Sequence, residues 1–469
     1  MRMKQKQINS GQSPAQPDRR RLLTAGLAVP TGLVAAAGAL AAGAGAAQAG
    51  SGASPMLRDA REFGIRPDSE ADQAPLLEAA LRETTRSGAG LHLPPGRYLV
   101  AEARLPDGAT LVAGGGAVLV QAADAPILHG RDLAHVRLAG FGLEGASGHA
   151  APLLRLEQVT DCRLLEIAVD GAAGTAFDLS GCGGLVAQCA ISGARIAVFA
   201  NDSSGLAVTG NLIRDCSDNG ILVWRASKGD DGTRVHGNRI ERIGAASGGS
   251  GEYGNAVNIF RAGGVIVSDN VIRECAFSAI RNNAGDRVQM IGNNCADFGE
   301  VGLFTEFAFE GCVIANNIVE RAANGIVSTN LNDTGRLAVI AGNIVRGSFR
   351  RPDPLTGEIL YGNGIYAEAD AAVTGNVVED VEAAGIGLGY GPYLRDVSAA
   401  NNVLRDCGYG FAVSVVDGVG RVQITGNLIS GAREAAIIGL RWTEPATGEL
   451  LNGSDTVPAH VLLSGNHAH

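Results

Sequence analysis

The stretch TGNLIRDCSDNGILV, Thr209–Val223, decides the fold, because the chain keeps rewriting it. ANNIVERAANGIV at Ala315–Val327, TGNVVEDVEAAGIGL at Thr374–Leu388 and NNVLRDCGYGFAV at Asn401–Val413 share its grammar. Each has a small or polar residue and Asn, two apolar residues, a short polar turn, then Gly-Ile or its equivalent. The Asn recurs at 211, 238, 270, 294, 317, 343, 376, 402 and 427, in steps of 23 to 33 residues. A repeat of this length, made of short strands and Gly/Asn/Asp turns, is a solenoid. Each coil buries its apolar side only against its neighbours. No helical period intervenes, and parallel crossovers are right-handed. The expected fold is therefore all-β, a right-handed single-stranded parallel β-helix. Asn side chains at one corner are expected to stack as a hydrogen-bonded ladder.

Bulk properties agree. Of 469 residues 46% are apolar, enough to line a long core, and 67 Gly supply many tight corners. Residues 1–49 read as an export signal: Arg19-Arg20-Arg21 precede Leu22-Leu23, a Gly/Ala-rich weakly apolar stretch follows, and Ala47-Gln48-Ala49 offers a cleavage site. The paired Arg resembles the twin-arginine signal, which implies export in the folded state by that machinery and a periplasmic or secreted address. Those 49 residues carry a net +5; the chain's total is −10, so the remainder carries −15. An acidic mature protein is a poor partner for nucleic acid. No other apolar run reaches the length of a membrane span. The eight Cys are expected to be free, buried thiols rather than a disulfide framework. Cys216, Cys275 and Cys407 each fall five residues after a repeat Asn, and Cys162 and Cys189 are read as taking the Asn place itself.

Residues 50–100 read as an N-terminal cap. Asp72 is placed to start a helix over 72–87 with Leu76, Leu77, Ala80 and Leu81 on one face and Gly88 as its stop. Strands in LHLPPGRYLV follow, repeats fill 101–440, and a hairpin and end cap are expected over 441–469. The opening REFGIRPDSEADQAPLLEAALRETTRSGAGLHLPPGRYLV resembles the N-terminal cap of pectate-lyase-like parallel β-helix proteins, and the repeats are similar to theirs. Signal and repeats together resemble a family of twin-arginine-translocated repeat proteins. The resemblance implies the fold and an exported protein; the superfamily carries lyases, hydrolases, epimerases, adhesins and tailspikes, so it does not select an activity.

Insertions are read at 244–254, 328–336, 346–362 and 441–458, and PLTGEIL at Pro354–Leu360 echoes PATGELL at Pro445–Leu451, each read as a hairpin about a Thr-Gly turn. Metal, Ser-nucleophile and nucleotide motifs are absent, and the eight His are scattered, so neither a metal nor a cofactor is expected. The Gly229-Asp230-Asp231 turn has the paired Asp of polygalacturonases without their other motifs; the Asp-Pro-His-Glu signature of alginate epimerases is also missing.

Alternation in the strand after each Gly-Ile places Ile221, Val257, Ile280, Leu303, Ile326, Ile365, Ile386 and Phe411 inward. The first outward column then runs through Leu222, Asn258, Arg281, Phe304, Val327 and Tyr366 to Gly387 and Ala412. The second runs through Trp224, Phe260, Asn283, Glu306, Thr329 and Glu368 to Gly389 and Ser414, with Arg225 and Arg261 just beyond. Aromatic faces stack on sugar rings and Arg pairs a uronate carboxylate. The site expected here is a polysaccharide groove, and the expected function is a lyase or glycosidase acting on a polysaccharide, with a non-catalytic carbohydrate-binding or cell-envelope repeat protein as the alternative. Glu306, Glu368, Arg281 and Lys228 are its candidate catalytic groups, and Trp224, Arg225, Phe260, Arg261, Asn283, Phe304 and Tyr366 its candidate binding groups. Glu306 and Glu368, two coils apart at about 4.8 Å per coil, approach the carboxyl separation of inverting glycosidases. A lyase would use an Arg or Lys instead. A tight charged cluster in a deep groove favours an enzyme; fully paired charges on a flat face favour a non-catalytic carbohydrate-binding or envelope protein. Outward positions are expected to contribute little to stability.

Overall fold

The computed structural model describes residues 56–249, 251–330, 334–354 and 356–469. The expected export signal lies outside the described residues. No helix among them is long and apolar enough to cross a membrane.

The chain winds into a parallel β-solenoid of about 14 turns. Three strands make a typical coil, for example Arg234–His236, Arg239–Ile243 and Asn255–Gly263, and each pairs in parallel with its counterpart one coil on. Three sheets result: one before the Asn corner, one after it, and one on the Gly-Ile strand. Ile221, Val257, Ile280, Leu303, Ile326, Ile365, Ile386 and Phe411 pair successively and are fully buried, the inward column that alternation gave.

The Asn ladder is continuous from Asn211 to Asn466. Asn211 Nδ2 donates to Asn238 Oδ1 at 2.9 Å, and its backbone N–H donates to the same oxygen at 3.0 Å. The pattern repeats through Asn270, Asn293, Asn317, Asn343, Asn376, Asn402 and Asn427. One rung differs from the sequence reading: it is Asn293, not Asn294. The residue before each rung takes the left-handed conformation, as Gly210 and Asp269 do, and at this corner Gly292 (φ 70) does so, which places the next residue in the ladder. Asn294 instead opens the following strand, paired with Val271 and Ile318. Cys189 does occupy an Asn place, its N–H donating to Asn211 Oδ1 at 2.9 Å. Cys162 does not; it pairs with Val136 and Gly184, and the corner of its coil falls at Ile167.

All eight Cys are free and buried. Cys216, Ile243, Cys275 and Phe298 form one inward column, as the shared spacing implied.

Helix α1, Ala74–Arg86, covers the first coils through Leu77, Ala80, Leu81 and Thr84. Leu76, expected on that face, lies one residue round the helix and is exposed. Asp72 ties the helix start to the end of strand Gly96–Val100, accepting from Ala74 N at 2.9 Å and Ala101 N at 3.0 Å. At the other end, Ala435–Arg441 and Glu444–Glu449 form an antiparallel hairpin. Its turn is at Trp442 (φ 58), so PATGELL supplies the returning arm rather than the turn. In the earlier phrase Thr356-Gly357 does sit between paired arms, Arg351–Pro352 and Ile359–Leu360. Beyond 458, where an end cap was expected, Val461–Ser464 and His467–Ala468 continue the solenoid.

Candidate functional site

The Gly-Ile strands place their outward columns in the register read from the sequence, with Leu222, Asn258, Arg281, Phe304, Val327 and Tyr366 paired in succession. What the sequence did not give is the cover. Most of these side chains are buried, because the insertions at the strand's two ends fold over the face. Asn258 Nδ2 donates to Gly251 O at 2.6 Å, fixing the 244–254 loop across the first column. That loop approaches Arg281 so closely that a Cβ at Gly251 (φ +100) would stand 3.4 Å from Nη2.

Beneath it lies a buried ion cluster. Arg281 Nε donates to Glu306 Oε1 at 2.8 Å and Nη1 to Glu300 Oε2 at 3.0 Å. Asn283 Nδ2 donates to Glu306 Oε1 at 2.8 Å, Ser278 Oγ lies 3.2 Å from Glu300 Oε2, and the guanidinium stacks over Phe304 at 4.7 Å. Arg281 is 6%, Glu306 4% and Glu300 1% exposed, so this is an interior network rather than a solvated rim. Burial works against the Arg281 charge, but Glu306 and Glu300 outweigh it and raise its pKa above the ordinary Arg value. Burial pushes the Glu300 carboxyl above its usual range, against the pull of Arg281.

Glu368 is separate from this cluster. Thr329 stands in register with Glu306, Glu368 is fully buried a coil further on, and its Oε2 accepts from Asn330 N at 3.2 Å. Tyr366 joins Val301, Phe304, Val327 and Tyr390 in a second small apolar core outside the solenoid, its hydroxyl donating to Gly389 O at 2.9 Å. Burial pushes the Tyr366 hydroxyl far above its normal value. Lys228 sits apart, in the register shift near the end of strand Asn219–Asp230, paired with Asp286 at 2.8 Å and bonded to Ala308 O.

The accessible part of the face is aromatic. Phe199 meets Trp224 edge-on at 5.9 Å, Trp224 meets Phe260 at 5.4 Å, and Arg261 lies over Phe260 at 4.6 Å. Phe199, Trp224, Phe260 and Asn283 are all partly exposed. Arg225 borders the row, with Nη1 donating to Ser203 O at 3.1 Å and 3.6 Å from Asp231 Oδ2. Five polar atoms around this corner are buried without a hydrogen-bond partner: Trp224 Nε1, Arg225 Nε, Asp231 Oδ2, Ser203 Oγ and Thr233 Oγ1. Of the Gly-Asp-Asp turn, Asp230 pairs with Arg287 on the surface, while burial raises the Asp231 carboxyl.

Two members of these groups were missed from the sequence. Glu300 lies inside the register shift between Phe298 and Val301, which breaks the alternation used to count outward positions. Phe199 lies one coil before the aligned set, in a coil with no Gly-Ile; its pairing with Leu222 follows from setting VFAN (198–201) against ILVW (221–224).

Comparison with known proteins gives the following. The family described as "Periplasmic copper-binding protein (NosD)" matches residues 243–456. No curated protein matches the chain. Among solved structures, the chain is similar to the pre-mature bacteriophage phi29 gene product 12 (TM-score 0.45, 14% identity, 81% of this chain and 54% of that one). It thus spans about half of that phage chain. It is also similar to PfbA, a surface adhesin of Streptococcus pneumoniae (TM-score 0.48, 10% identity, 88% of this chain and 100% of that one). A third similar structure is the catalytic unit of a GH87 α-1,3-glucanase from Streptomyces thermodiastaticus (TM-score 0.48, 15% identity, 90% and 70%).

Proposed function

We propose that the chain is an exported, periplasmic glycan-binding solenoid, delivered folded by the twin-arginine machinery, whose ligand lies along Phe199, Trp224 and Phe260. The observation that carries this reading is the partly exposed aromatic row bordered by Arg225 and Arg261. Stacking rings hold sugar faces, and the two Arg suit a uronate carboxylate. In this reading Arg281, Glu306, Asn283 and Phe304 are a strut that fixes the face from beneath.

A second reading, a lyase or glycosidase, is favoured by one observation: two carboxyl groups share Arg281, and burial keeps one of them, Glu300, readier to hold a proton. Such a pair has the makings of an acid and a base. It requires the 244–254 loop to open.

The matched family description names copper, so the donors bear on it. Copper sites draw on Cys, His and Met. Residues 243–456 contain no His, one Met (the buried Met290) and four Cys. All four thiols are buried, and burial pushes Cys295, Cys312 and Cys407 up to about 12. Among the described residues no group of three or more His, Cys, Asp or Glu is placed to hold a metal ion. These residues do not fit a copper site.

Affinity electrophoresis against neutral and uronate-containing polysaccharides tests the proposal, with reducing ends and unsaturated-uronate absorbance followed in parallel. Retardation without product supports a binder; retardation with product supports the second reading; neither signal on any glycan rejects both.

A further inference from the structure

The sheet after the Asn corner carries an apolar row on its outer side. Leu212, Ile318, Ile344, Val377 and Leu428 share one column and are 37–46% exposed. Five large aliphatic side chains in register on a solvent face are unusual for a chain that works alone. At the N-terminal end the same column is built of Gly142, Ala168 and Ala190, which leave a shallow hollow of about 370 Å³. One face thus has a ridge at one end and a matching hollow at the other.

Two residues along each strand runs a charged column: Arg214, Glu241, Arg273, then Ala296, then Glu320, Arg346 and Glu379. Its signs are antisymmetric about Ala296. Arg273 on one side matches Glu320 on the other, Glu241 matches Arg346, and Arg214 matches Glu379.

We propose that this face is the interface of an antiparallel homodimer, with the two-fold axis along the strand direction through the coil of Asn294 and Ala296. In that register three opposite-charge pairs form on each side of the axis, Val271 meets Ile318, Arg239 lays its stem against Ile344, Leu212 meets Val377, and Leu428 enters the hollow over Ala168. Moving the axis half a coil toward the N-terminus opposes Arg214 to Arg346 and Glu241 to Glu320. Moving it half a coil the other way opposes Arg273 to Arg346 and Glu241 to Glu379. Like charges reject both neighbours, so the pattern selects one register. Within the chain the charges already pair along the column, Arg405 with Glu379 at 3.5 Å and Arg346 with Glu320; the second copy extends these pairs into a network. Eleven coils at about 4.8 Å and a strand about 13 Å long give a flat footprint of about 700 Å², near the ~800 Å² per partner of a stable interface once side-chain relief is added.

Sedimentation velocity of the full chain at micromolar concentration is the test. A dimer is expected for the wild type, and a monomer for Ile344→Asp combined with Val377→Asp. Glu241→Arg and Arg346→Glu should each weaken dimerisation at least tenfold, and the two combined should restore it, since they oppose one another only across the axis. Asn294→Cys, beside the axis, should oxidise to a covalent dimer and reports the register even where the apolar variant misfolds. A monomeric wild type, a dimer indifferent to these changes, or a combined variant as weak as the single ones overturns the proposal.

Discussion

Arg281 shows how a residue's role depends on what covers it. Outward alternation marked it as a surface group that stability would not notice. Covered by the 244–254 loop and bonded to two buried carboxylates, it is a structural keystone instead. Removing the cation leaves Glu300 and Glu306 buried without a counter-charge, a change of the kind that costs about 3–5 kcal/mol. Arg281→Met should therefore lower the melting temperature well beyond the few tenths of a kcal/mol of a surface change. The sign of its pH dependence follows. Burial already raises the Glu300 carboxyl against the pull of Arg281, and without Arg281 it would titrate higher still in the folded chain, so folding would be helped by acid and hindered as pH rises through that range. The deficit against wild type should be smaller at pH 4.5 than at pH 7.5 in thermal melts; a deficit that is constant or grows in acid would contradict the buried cluster. The cysteines give a second residue-scale prediction. Burial pushes Cys162, Cys216 and Cys295 up to about 12, so thiolate is scarce at pH 8. Native protein should react negligibly with a thiol reagent, and all eight thiols should titrate after denaturation without reductant. Disulfides found by mass spectrometry would refute this.

At the scale of the element, the coil is held by its Asn rung as much as by its apolar interior. Asn317 accepts from Asn293 and donates to Asn343 Oδ1 at 2.9 Å and Met290 O at 2.9 Å. Asn317→Ala strands several buried polar groups at once, for a cost of ~3 kcal/mol. Because coils in a solenoid answer mainly to their neighbours, hydrogen exchange should accelerate in the coils around Asn293 and Asn343 and stay unchanged near Leu111. A uniform loss along the chain would contradict nearest-neighbour coupling. Much of the element scale was legible in the sequence. Strand alternation, the register of the first outward column, that of the second as far as Thr329, and the Cys216 and Cys275 column follow from spacing alone, because each coil repeats the same local geometry. The Asn293 rung was recoverable from Gly292, the left-handed residue that must precede it. The cover was not legible, because insertions have no period and their paths are set by individual contacts such as Asn258 to Gly251. Glu300 was lost for a related reason: the bulge at the corner breaks the alternation that would have reached it.

For the whole molecule, the solenoid presents two unlike outer faces: the Gly-Ile face, covered at its centre and aromatic toward the N-terminal coils, and the apolar-charged face one corner before it. The central claim concerns the first, that a glycan lies on the Trp224 and Phe260 row. Trp224 and Trp442 are the only tryptophans, so Trp442→Phe leaves Trp224 as the sole reporter. The direct measurement is a fluorescence titration of that variant, with and without Phe260→Ala, using an oligosaccharide of whichever polysaccharide retards the protein. The account predicts a saturable change in Trp224 emission and a dissociation constant raised about tenfold or more by Phe260→Ala, a loss of about 1.4 kcal/mol. Binding that leaves Trp224 emission unchanged, or that Phe260→Ala does not weaken, would contradict it.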